Sequence, residues 1–173
     1  MEIHLAVALD FSSGSGHAKG DSESQELSMF EKAISLIGGT LAHYDSDNKF
    51  PVYGLGGVPK FMGNDKVSHC FPLNGEVDDP NIAGIENILA TYRQNLPNIE
   101  LPNSPTQLAP VLENFKKYVE EFKANNDKNG YGVLLILTGG AIMHLEETKS
   151  ILVELSALPC SVIIVGLGEG INK

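Results

Sequence analysis

The run Leu5-Ala6-Val7-Ala8-Leu9 stops abruptly at Asp10 and passes into Phe11-Ser12-Ser13-Gly14-Ser15. From Ile3 to Leu9 only His4 interrupts the apolar residues. A strand apolar in both of its alternating sets of side chains must be covered on both faces, which is the position of a central strand in a parallel sheet. The carboxyl end of such a strand is where open α/β folds place their ligands. Two later stretches are suited to meet the loop that begins there. One is Pro105-Thr106, at the head of a helical pattern. The other is Leu134-Leu135-Ile136-Leu137-Thr138-Gly139-Gly140, a second buried strand running into a glycine-rich turn.

Strands and helices alternate along the rest of the chain. Leu27, Phe30, Ala33, Ile34, Ile37, Leu41 and Tyr44 recur at helical spacing and predict an amphipathic helix. Gly38-Gly39 within it suggests close packing on the sheet. Phe50 to Leu55 reads as a strand, and Val67 to Phe71 as a shorter one nearer an edge. Ile82, Ile85, Ile88, Leu89 and Tyr92 make the next helical stripe. Thr106 then stands as an N-cap for a helix through Leu108, Val111, Leu112, Phe115, Val119 and Phe122. Leu145 to Leu155 supplies a further helix, and Ser161 to Val165 a third buried strand. The alternation predicts an α/β fold, a three-layer, doubly wound, mostly parallel sheet flanked by helices. Residues 3–9, 133–137 and 161–165 are expected as its inner strands. No repeat or linker divides the chain, so residues 1–173 are read as one domain.

Charge narrows the function. Twelve basic against 22 acidic side chains give a formal net charge of −10, with no basic cluster. Phosphate contacts need clustered Lys and Arg, so nucleic acid is excluded as a partner. Direct binding to an anionic membrane is disfavoured for the same reason. No apolar run approaches the ~20 residues of a membrane span, and no secretory signal opens the chain. Cys70 and Cys160 are far apart in apolar settings and read as reduced thiols of a cytoplasmic protein.

A carboxylate followed by hydroxyls at i+2 and i+4, joined by a distant Thr and a second distant Asp, makes an oxygen-only cage for a hard cation such as Mg2+. Asp10, Ser12 and Thr106 supply part of that set. Position 14 is glycine, with Ser13 and Ser15 beside it, and Gly139 stands where the second carboxylate should follow Thr138. A single carboxylate attracts Mg2+ weakly, so binding is expected to be weak or absent. Plainer roles are available: Asp10 can cap backbone N–H groups, and Thr106 can cap its helix. The five histidines are scattered without an i,i+4 pair, which speaks against zinc. Neither a nucleophile elbow nor a Walker lysine motif appears, so no enzyme class is suggested. Asp45 and Asp47 fit a turn, and Tyr118 to Lys123 a solvated helix face.

Several stretches together carry a family resemblance. They are Asp10-Phe11-Ser12, Tyr44 to Pro51, Val67-Ser68-His69 with Phe71 and Asn74-Gly75, Ala90 to Pro97, Pro105-Thr106 with Ala109-Pro110, and Leu158 to Gly168. In these the chain resembles the von Willebrand factor A domain of the copines, cytosolic proteins in which two calcium-binding C2 domains precede an A domain. A plant group of RING-type ubiquitin ligases carries a similar domain. Gly14, the loop after Phe11 and Thr138-Gly139-Gly140 depart from the pattern, and copine A domains continue into further helix beyond the point matching Lys173.

The resemblance implies a von Willebrand factor A fold within a longer parent protein that carries C2 domains. It implies a non-enzymatic protein–protein interaction domain with a signalling role. Its metal-ion-dependent adhesion site, degenerate here, comprises Asp10, Ser12 and Thr106. Other proteins would dock at the carboxyl edge of the sheet on Ser13, Ser15 and Gly139. Calcium-dependent phospholipid binding would belong to the C2 domains, so membrane recruitment of the cytoplasmic parent is indirect. The alternative is a flavodoxin-like small-ligand domain whose Ser/Gly loop holds a phosphate on its N–H groups. Asp10 opposes it, because a carboxylate repels phosphate. A flavin absorbance spectrum separates the two.

Overall fold

The computed structural model describes residues 2–12, 28–45, 47–102, 105–125, 129–139 and 142–167. Its strands are β1 (Glu2–Asp10), β2 (Lys49–Leu55), β3 (Val58–Pro59), β4 (Phe71–Pro72), β5 (Asn81–Ala83), β6 (Ile99–Glu100), β7 (Thr106–Gln107), β8 (Gly130–Thr138), β9 (Ile142–Met143) and β10 (Cys160–Gly166). The α-helices are α1 (Met29–Ala33), α2 (Gly39–Ala42), α3 (Ile85–Asn95), α4 (Ala109–Ala124) and α5 (Leu145–Leu155). The main sheet runs β10-β8-β1-β2-β4, and β5 also pairs with β2. β1, β2, β8 and β10 are parallel; β4 and β5 are antiparallel to β2. The result is a mixed α/β domain with a mostly parallel central sheet flanked by helices.

The two apolar sets of β1 go to two different cores. Leu5, Val7 and Leu9 pack with Phe30, Ile34, Ile88 and Tyr92 on one face. Ala6 and Ala8 pack with Val111, Leu112, Phe115, Ile151 and Leu155 on the other. This is the two-sided burial that the uninterrupted apolar run required. His4 is absorbed into that second side, stacked on Phe122 at 4.6 Å and edge-on to Tyr118 at 6.5 Å. Val119 is fully buried, so residues 118–123 are only partly a solvated face.

Several expectations are corrected. Residues 161–165 do not form an inner strand: β10 is the sheet edge, paired to β8, with Ile163 and Ile164 exposed. The helix at 29–42 is interrupted by a π-helical segment, Ile34–Gly38. A Cβ at Gly38 would lie 3.2 Å from Ile85, so that glycine permits approach to α3, not to the sheet. Ile82 lies in β5, and the next helix starts only at Ile85. From Val67 to Phe71 only Phe71 is in a strand, while Ser68 bridges to Gly57. The turn role of Asp45 holds: its carboxylate accepts from the backbone N–H groups of Leu5, Asp47 and Asn48 at 2.9, 3.2 and 3.1 Å. Both cysteines are free and half-buried, and burial pushes the Cys70 thiol up to about 11. Among the described residues no helix is long and apolar enough to cross a membrane.

Candidate functional site

Three chain segments are brought to the carboxyl ends of the central strands by different local devices. After β1, Phe11 stays in the sheet by donating its N–H to Leu55 O at 2.8 Å, and its buried ring lies between Phe71 and Tyr92 at 6.0 and 6.2 Å. That fixes Ser12, whose N–H turns back to Asp10 Oδ1 at 2.9 Å, the i to i+2 contact favoured after a strand-end Asp. The neighbouring turn leaves room for Ser12 only because position 56 is glycine. Its φ is +74°, and a Cβ there would sit 2.5 Å from the Ser12 Cβ.

Thr106 does not cap the following helix. It lies in β7, paired with β9 in the register Thr106↔Ile142 and Gln107↔Met143. Helix α4 begins at Ala109 with Leu108 at its N-cap and no side-chain cap. The hydroxyl is used elsewhere: Thr106 Oγ1 donates to Asp10 Oδ2 at 2.5 Å. Thr138, the last residue of β8, donates to the same oxygen at 2.5 Å. Ser12 Oγ donates to Asp10 Oδ1, and it lies 2.8 Å from Thr106 Oγ1. Asp10, Ser12 and Thr106 have no exposed surface and Thr138 has 4%. One buried carboxylate thus gathers the hydroxyl of its own turn and those of two distant segments.

Each hydroxyl carries one proton. Ser12 Oγ and Thr106 Oγ1 are also hydrogen-bonded to each other at 2.8 Å, with either able to donate, so the oxygens of the set converge on one another as well as on Asp10. Such converging oxygens fit a hard cation. The set falls short by the carboxylate that half-buried Gly139 does not provide. Ser13, Gly14, Ser15 and Gly140 lie outside the described residues.

One site residue, Thr138, escaped sequence reasoning. Thr138 was read only as the neighbour of Gly139, although a hydroxyl ending a buried strand beside β1 was a usable signal. His69 follows Ser68, whose N–H donates to Gly57 O at 2.9 Å and whose carbonyl accepts from Gly56 N–H at 2.8 Å, against the turn that packs on Ser12. Burial pushes its pKa below the usual range; the Asp10 charge opposes this and His144 adds to it. Its Nδ1 is buried with no hydrogen-bond partner among the described residues.

A family model described as Copine matches residues 21–172. The chain belongs to the copine family. Protein BONZAI 1 of Arabidopsis thaliana is 38% identical to this copine chain over 173 residues, an alignment covering 96% of the chain and 29% of that relative. The copine chain therefore spans less than a third of the relative's length. Among solved structures, proximal thread matrix protein 1 from the mussel byssus superimposes with a TM-score of 0.52 at 15% identity, covering 98% of this chain and 39% of that one. That likeness is one of fold.

Proposed function

We propose that this chain is a non-enzymatic, protein-binding domain of von Willebrand factor A type, acting within a copine that also carries C2 domains. Partners dock at the carboxyl edge of the sheet, around the loops that Asp10 draws together. The observation that carries the reading is the convergence of Ser12, Thr106 and Thr138 on one buried carboxylate at the ends of β1, β7 and β8. Asp10 is the hub: its charge holds three hydroxyls and so fixes the relative positions of loops otherwise independent in sequence. With glycine at 139, the site lacks the second negative charge that would retain Mg2+ firmly, and is a degenerate adhesion site. Docking then rests on loop shape and hydrogen bonds more than on a shared metal ion. Calcium-dependent phospholipid binding, and with it recruitment of a cytoplasmic parent protein to membranes, belongs to the C2 domains.

The test is partner capture with the domain as bait. Gly139→Arg places a long side chain at the proposed docking edge, and Lys49→Ala alters the opposite end of β2. Partners retained by the wild type should be lost with Gly139→Arg and kept with Lys49→Ala, both variants giving native circular dichroism. Equal capture by Gly139→Arg and wild type overturns the reading.

A further inference from the structure

Tyr92 and Arg93 are consecutive residues of α3, and together they reach both ends of the chain between Ser12 and Ser28. The Tyr92 ring is fully buried and lies 6.2 Å from the ring of Phe11, the residue before Ser12. Its hydroxyl is hydrogen-bonded to the side chain of Ser28. The Ser28 hydroxyl also accepts the Glu31 N–H at 3.2 Å, capping α1. Arg93 grips Glu31 itself, donating from Nε and Nη2 to the same oxygen, Oε2, at 3.1 and 2.9 Å. The partners are unequal, since Glu31 is 1% exposed and Arg93 45%. Glu31 Oε1 is buried with no hydrogen-bond partner among the described residues. Removing one partner of such a pair strands a buried charge, whereas removing both is far milder.

We propose that Arg93 is a positioning residue for the docking edge: acting through Glu31, and with Tyr92 beside it, it joins the Ser12 turn to the start of α1 so that the two hold or fail as one unit. Neither end has enough local structure to hold itself. Helix α1 has five residues, and a helix that short is marginal without tertiary contacts. Ser12 is tied through its own N–H only to Asp10, two positions back. Helix α3 supplies the fixed reference, because Ile88 and Tyr92 anchor it in the core with Leu5 and Val7. This inference rests on the reading of the Asp10 loops as a docking edge.

Native-state hydrogen exchange on the 173-residue chain tests it. The amides compared are those of Ser12, bonded to Asp10, and Glu31, bonded to Ser28, with Leu112 of α4 as reference. In the wild type, Ser12 and Glu31 should share one protection factor and one urea dependence, shallower than that of Leu112. Arg93→Gln should lower protection at Ser12 and Glu31 together, by about tenfold or more. Ile151→Val, in the core on the other face, should lower protection at Leu112 and leave Ser12 and Glu31 within about twofold, because its contacts persist when only the unit opens. Adding Glu31→Gln to Arg93→Gln removes the stranded charge and should regain about threefold or more at both amides. Should Arg93→Gln fail to fold, the wild type and Ile151→Val decide. Unequal protection of Ser12 and Glu31, a loss in Arg93→Gln confined to Glu31, a parallel loss at all three amides in Ile151→Val, or no rescue by Glu31→Gln overturns the proposal. Partner capture with Gly139→Arg is read separately: loss of capture in that variant without coupled exchange removes the brace and leaves the docking edge in place.

Discussion

Thr106 and Thr138 both donate to Asp10 Oδ2, each at 2.5 Å, and replacing either by Val keeps the shape while deleting the proton. A hydrogen bond to a charged group contributes about 1.5–3 kcal/mol net, so each single substitution should destabilise by that amount. For a domain of this length 1 kcal/mol corresponds to roughly 2–4 °C in Tm, giving an expected fall of about 3–12 °C for each variant. Asp10→Ala should cost more than either, because the hydrogen bonds of Ser12, Thr106 and Thr138 to the carboxylate are all lost at once. Since the two threonines share one oxygen, the double variant should depart from additivity, by about 0.5–3 kcal/mol for residues in one network. The assay is thermal unfolding followed by circular dichroism in EDTA, which removes any metal contribution. If both single variants melt within 1 °C of wild type in EDTA, the hydroxyls do not tie the loops to Asp10, and the site stands only when a cation holds it.

Two other outcomes follow from the same geometry. Gly139→Asp with Gly14→Ser supplies the missing oxygen ligands and should raise Mg2+ affinity by about tenfold or more in titration calorimetry; no gain, or tight binding by wild type, refutes the degenerate-site reading. Gly54→Ala puts a Cβ 2.3 Å from Phe71 Cζ and 2.9 Å from Phe11 Cε2, in the ring cluster that anchors the start of the Asp10 loop. Overpacking of this kind costs about 1–3 kcal/mol, read as a lower denaturant midpoint, and an unchanged midpoint would show that the rings can move aside.

The sequence by itself determined what local chemistry can carry. The apolar runs of β1 and β8 required cover on both faces, because side chains alternate along a strand, and Leu5 and Ala6 do enter different cores. Asp10 and Ser12 were legible as a unit because they stand two positions apart and one turn joins them. Helix α5 was readable to the residue from its spacing. Tertiary structure decided the rest. Thr106 fits a helix cap or a site ligand equally well in sequence, and only the β7–β9 pairing aims its hydroxyl at a carboxylate 96 residues away. The edge position of β10 was not legible, since an apolar pattern states what a strand can bury and not what its neighbours supply. The pairing of Ser68 with Gly57, beside the turn that packs on Ser12, is likewise a contact between two loops that no pattern along one chain can register.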